Sequence, residues 1–149
     1  MTNINVVQAI TLAVAVLGAV LGIINTWHGL DKSRLKLKVT PKLAIPLGGF
    51  DPRLTFCIEV TNLGFFPVTV YDVGVYYTGT KDRGSIIQPF LADGGKWPRR
   101  LEPRSSVSVY SQTPTAPRGC RIGCAYAKTE CGYTRTGTSP ALRNIAAGS

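Results

Sequence analysis

With 149 residues the chain has room for about one domain. Its net charge of +9, from 17 Lys plus Arg against 8 Asp plus Glu, directs it toward acidic partners such as phosphates or anionic lipid headgroups. One histidine leaves little material for histidine-dependent catalysis, and 16 Gly with 10 Pro argue against a helical bundle.

The first element is apolar. No Asp, Glu, Lys or Arg occurs between Met1 and Leu30. The 24 residues from Ile4 to Trp27 would rise about 36 Å as helix, at ~1.5 Å per residue. A hydrocarbon core of ~30 Å needs about 20 residues, so the segment predicts a transmembrane helix spanning about 4–27. A cleaved signal would carry a basic start and a small-residue cleavage site, whereas "MTNINVVQ" has no Lys or Arg and "GIINTWHG" offers no such site. Release as a secreted or periplasmic module after cleavage stands as an alternative.

Charge sets the orientation. Lys32, Arg34, Lys36, Lys38 and Lys42 follow the span against a single Asp31. The positive-inside rule then predicts a cell-membrane protein with its N-terminus outside and its later domain in the cytoplasm. Trp27 suits the lipid–water interface, and Lys32, Arg34, Lys36 and Lys38 suit anionic headgroups. Within the helix, Gln8, Thr11, Ala15, Gly18, Gly22 and Asn25 recur at alternating spacings of three and four. This seam of small and polar residues contains a GxxxG and predicts close pairing with a second copy or another membrane protein. Assembly of such helices into a pore or lesion is a further alternative.

After the N-terminal segment that holds the span (1–30), "RLKLKV" alternates Leu35, Leu37 and Val39 with Arg34, Lys36 and Lys38, the pattern of a half-buried strand with a basic wet face. Pro41 and Pro46 confine the next stretch, "PKLAIP", to a sheet edge. "LTFCIEVTN" places Leu54, Phe56, Ile58 and Val60 inward and Thr55, Cys57 and Glu59 outward. "NLGFFP" is a turn, and "VTVYDVGVYY" a strand whose apolar phase slips near Tyr71–Asp72, which predicts a bulge. "TGTKDRGS" reads as a loop, "IIQPFLADGG" as a short strand and turn, and "LEPRSSVSVYS" as turn then strand. "RIGCAYAKTECGYTRTG" reads as a closing hairpin turning around Thr129–Gly132. The tail 138–149 carries no clear pattern. About seven short strands over 34–137, without an amphipathic helix, predict an all-β antiparallel sandwich.

"CIEVTNLGFFPVTVYDVGV", with V-x-N-x-G at its turn, and the later L-x-P-x-x-x-V of "LEPRSSVSVY" carry a resemblance. In these stretches the chain resembles Ig-like β-sandwich domains of bacterial and phage proteins, some of them membrane-tethered. The resemblance implies a fold and no activity.

The chemistry-bearing residues are sparse. Cys120, Cys124 and Cys131 lack any CxxC pair, and Cys57 with Cys124 would stay reduced in a cytoplasm. The acids Asp51, Glu59, Asp72, Asp82, Asp93, Glu102 and Glu130 are scattered, mostly near turns where Asp caps backbone amides. "DGGK" at 93–96 lacks the leading Gly and Ser/Thr of a phosphate loop. Arg99, Arg100, Arg104, Arg118, Arg121, Arg135 and Arg143 are ordinary for a β-domain surface, so nucleic acid is a minor expectation. The sequence therefore predicts no enzyme, cofactor, metal or small-molecule substrate. Its expected partners are membrane lipid and a second copy or another membrane protein.

Overall fold

A computed structural model describes residues 5–45, 47, 48 and 51–147, without the side chains of 31–33. The chain divides into two compact units, 1–34 and 35–149.

The first unit is a single helix, α1 (Val6–Ser33). Asn5 opens it as a cap: its carbonyl accepts from the Gln8 and Ala9 amides at 2.8 and 3.1 Å, and its own N–H donates to Gln8 Oε1 at 3.4 Å. This is half of a capping box, satisfying amides that have no helical partner. Thr11 and Thr26 donate their hydroxyls to the carbonyls of Val7 and Gly22, both at 2.8 Å, so neither needs water. The stretch Val6–Leu30 is long and apolar enough to cross a membrane, and none of it is buried within the protein.

The second unit is a pair of antiparallel sheets. The first holds β1 (Leu37–Leu43), β2 (Phe56–Asn62), β7 (Ser106–Ser111) and β5 (Phe90–Leu91), in that order. The second runs β4 (Arg83–Ser85), β3 (Val68–Thr78), β8 (Arg121–Thr129), β9 (Thr134–Gly137), with β6 (Arg99–Leu101) also paired to β3. The core lies between them. Leu37, Val39, Phe56, Ile58, Val60, Val107 and Val109 come from the first sheet, and Val70, Val73, Val75, Ile122, Ala125 and Ala127 from the second.

Alternation accounts for most of this. Lys38 is exposed between buried Leu37 and Val39, and β1 is an edge strand that tolerates Pro41 because nothing pairs on its far side within the sheet. The β3 register shifts between Val70 and Asp72, so Tyr71 and Asp72 both face out before Val73 turns in. A second shift between Tyr76 and Tyr77 brings Ile122 into the core along with Ala125. The hairpin of β8 and β9 turns at Gly132, with φ of 85° and its amide bonded to the Thr129 carbonyl at 2.8 Å.

The structure departs from the sequence expectation in three places. Nine strands are present among the described residues, because β4 forms in the stretch read as a loop and β6 just ahead of the turn read from Leu101, three residues each. Both are held by pairing to β3. Beyond residue 137, Pro140–Ala147 forms a helix, α2, whose Leu142 is 1 % exposed and completes the core. Ser139 caps it, accepting the Leu142 amide at 3.1 Å. Finally, Cys57 has the outward phase expected of it and is nonetheless buried, flanked in register by Lys42 and Tyr110. Lys42 closes over this face to Glu59 at 2.9 Å.

Candidate functional site

The seam residues Gln8, Thr11, Ala15, Gly18, Gly22 and Asn25 all lie on α1 and all are exposed. At 100° per residue their spacing confines them to an arc of about 100° on one side. A Cβ built on Gly18 or Gly22 meets no atom within 4 Å, so the notches are open to an outside surface. Gln8 has a second role that its seam position concealed, as the acceptor in the N-terminal cap.

The basic flank is only partly a surface. Trp27 is exposed, Arg34 and Lys38 are exposed, and Lys36 is half-buried. Lys42 is engaged with Glu59, which makes it a strand-to-strand tie. The Lys32 side chain lies outside the described residues.

One end of the sandwich gathers the strand termini nearest the span in sequence. Leu37 pairs with Asn62, Thr61 with Ser106, Val68 with Leu101, and Val70 with Thr129. The loop of residues 62–68, the turn before β7 and the β8–β9 turn therefore share this end. Asn62 holds it together. Its side chain is fully buried, donating to the carbonyls of Phe66, Leu101 and Glu102 at 2.8, 3.2 and 3.3 Å and accepting the Gly64 amide at 2.9 Å. The V-x-N-x-G and L-x-P motifs are thus one hydrogen-bonded unit. Held this way, the loop leaves Leu63 and Phe65 exposed, and the Arg104 guanidinium lies 4.9 Å from the Phe65 ring centroid.

On the outer face of the second sheet lies a polar cluster that sequence reasoning missed. Asp72 was expected to cap a turn, as Asp51 and Asp93 do for the amides of Arg53 and Gly95. Instead it is 8 % exposed and accepts from Ser85 and, at 3.1 and 3.2 Å, from the Tyr126 hydroxyl. Arg83 approaches it at 3.4 Å and lies 5.6 Å from the Tyr126 ring centroid, while Tyr76 stacks on that ring at 4.6 Å. Burial pushes the Tyr126 hydroxyl up to about 12, so it remains a proton donor to Asp72 at neutral pH. Each group is committed to another, and the cluster pins the short edge strand β4 onto β3.

At the opposite end of the sandwich, Ala44, Ile45, Leu47, Leu54, Phe90, Ala92 and Tyr110 line an apolar groove of about 200 Å³. The four cysteines are free thiols. Burial raises the Cys57 and Cys124 thiols, whereas Cys131, exposed, is held below its ordinary value by its hydrogen bond with the Thr129 hydroxyl. Among the described residues no group of three or more His, Cys, Asp or Glu is placed to hold a metal ion. No protein-family model and no curated protein matches the chain.

Proposed function

We propose that the chain is a single-pass cell-membrane protein in which α1 tethers a basic β-sandwich to the cytoplasmic face, and that it acts by interaction and assembly rather than catalysis. The observation that carries this reading is the 25-residue stretch Val6–Leu30, wholly exposed and uncharged, with basic residues immediately after it. The open notches at Gly18 and Gly22 support pairing through the helix with a second copy or another membrane helix. The strand order supports an Ig-like reading of the sandwich: β1-β2-β7-β5 follows the order ABED and β3-β8-β9 the order CFG, with β4 added beside β3. The Asn62 clasp gives its turn motif a physical role.

Cys131 provides the test, being the one exposed cysteine among the described residues. With intact cells, a membrane-impermeant maleimide should leave it unlabelled until the membrane is opened, and alkaline carbonate should fail to extract the protein. Labelling from outside refutes the cytoplasmic placement. A mature chain lacking α1, or one that carbonate releases, refutes the anchor and leaves a secreted module.

A further inference from the structure

The end of the sandwich built around Asn62 presents apolar side chains that nothing in the fold obliges to be apolar. Leu63 and Phe65 are 38 % and 51 % exposed, although the loop carrying them is clamped by four hydrogen bonds of the Asn62 side chain. A rigid loop cannot fold these groups away, so it displays them continuously. Arg104 stands over the Phe65 ring from the neighbouring turn. Its φ of 62° is left-handed, the only such value at a non-glycine among the described residues. Glycine would adopt that backbone without strain, so arginine here keeps a cation beside an exposed aromatic at a conformational cost.

Chain continuity names the occupant. The Leu63 amide donates to the Lys36 carbonyl at 2.8 Å, and Lys36 comes six positions after Leu30, the last apolar residue of the span. Six residues reach at most ~20 Å even fully extended, so a chain anchored through Val6–Leu30 keeps this loop close to the headgroups. Arg104 supplies the cation that an anionic surface attracts, the neighbouring Arg100 is paired with Glu102 at 3.1 Å, and Glu130 is the acid of the β8–β9 turn. An aromatic ring and an aliphatic side chain beside a cation form the composition that partitions into the interfacial layer of a bilayer.

We infer that Leu63, Phe65 and Arg104 form a second membrane contact, docking this end of the sandwich onto the anionic headgroup layer of the bilayer that α1 crosses. The inference rests on the membrane-anchored reading above. It makes the sandwich a domain seated on the lipid surface.

The full chain is reconstituted into vesicles of phosphatidylcholine, with or without phosphatidylserine, using lipids brominated near the top of the acyl chains. Phe65→Trp is made in a Trp27→Phe background, and Trp27→Phe alone supplies the Trp97 baseline. The indole introduced at position 65 should be blue-shifted and quenched by the brominated lipid, more strongly with phosphatidylserine. Arg104→Gly relieves the left-handed strain and so cannot act by unfolding the domain. It should lower the docked-to-undocked ratio about fivefold in the anionic vesicles, the worth of one charge near such a surface. An indole that remains solvent-exposed in vesicles from which carbonate cannot extract the protein overturns the docking and spares the anchor. Quenching that is equal in both lipids and unmoved by Arg104→Gly also overturns it. Carbonate extraction of the reconstituted chain overturns the anchored reading itself.

Discussion

Replacing Asn62 with alanine removes the donor and acceptor that join the two turn motifs. The side chain makes contacts at 2.8, 3.2 and 3.3 Å to three carbonyls and accepts the Gly64 amide at 2.9 Å, all at a residue with no exposed surface. Its two amide hydrogens serve three acceptors, so about three full hydrogen bonds are lost. At ~1 kcal/mol net each, with more for partners stranded out of water, the loss comes to about 3–4 kcal/mol. For a domain of this size ~1 kcal/mol moves the midpoint by about 4 °C, which predicts a fall of about 12–16 °C. Thermal and urea unfolding of the full chain in detergent, monitored by near-ultraviolet circular dichroism, reads the sandwich while α1 remains helical. Asn62→Asp keeps the acceptor for Gly64 but turns a carboxylate toward three carbonyls, and it should be at least as damaging. A loss under ~1 kcal/mol for alanine, or tolerance of aspartate, would refute the view that this clasp joins the two turns.

A Cβ at Gly137 would overlap the Val39 carbonyl, where β9 passes close to β1, so Gly137→Ala should cost about 1–3 kcal/mol in a urea titration, with Gly48→Ala a poor comparator because of its left-handed backbone. The Tyr126 hydroxyl, raised from 10 to about 12, binds its proton more tightly in the folded state than in the unfolded one. Its stabilisation is therefore complete below pH 10, declines between 10 and 12 and is gone above, and Tyr126→Phe should flatten the stability–pH curve in that window. Ultraviolet titration should show a phenol still protonated above pH 10 that Tyr126→Phe removes. Gly18→Ile with Gly22→Ile should abolish detergent-resistant oligomers on native gels, whereas oligomers that persist unchanged would reduce α1 to an anchor.

The strands that alternate across a half-buried sheet were legible because burial imposes a period of two on Leu37 and Val39 and on Phe56, Ile58 and Val60. The phase slip at Tyr71–Asp72 was legible for the same reason, as was the glycine turn at 132. What escaped depends on partners far away in the chain. β4 and β6 are too short to carry a period and exist because β3 supplies their ladders. The burial of Asp72 is decided by Ser85 and Tyr126, 13 and 54 positions away, and that of Cys57 by its cross-strand neighbours Lys42 and Tyr110. Asn62 stood in a recognisable turn motif, but its bonds to Leu101 and Glu102 reach 39 and 40 positions along the chain. That Gln8, Thr11, Ala15, Gly18, Gly22 and Asn25 share one side of a helix was readable from their spacing, although the capping role of Gln8 and the pairing of Lys42 with Glu59 emerge only in three dimensions.

Leu142 bears on how the molecule is made. It completes a core that begins at Leu37, yet it leaves the ribosome 112 residues after Leu30. At roughly 5–20 residues per second, about 6–22 s separate the synthesis of the apolar helix from that of the last core side chain. Synthesis of α1 therefore precedes closure of the sandwich, and the nascent sheets wait with their inner faces incomplete. That interval is the period in which exposed strand edges are open to chaperones, to proteases and to neighbouring nascent chains.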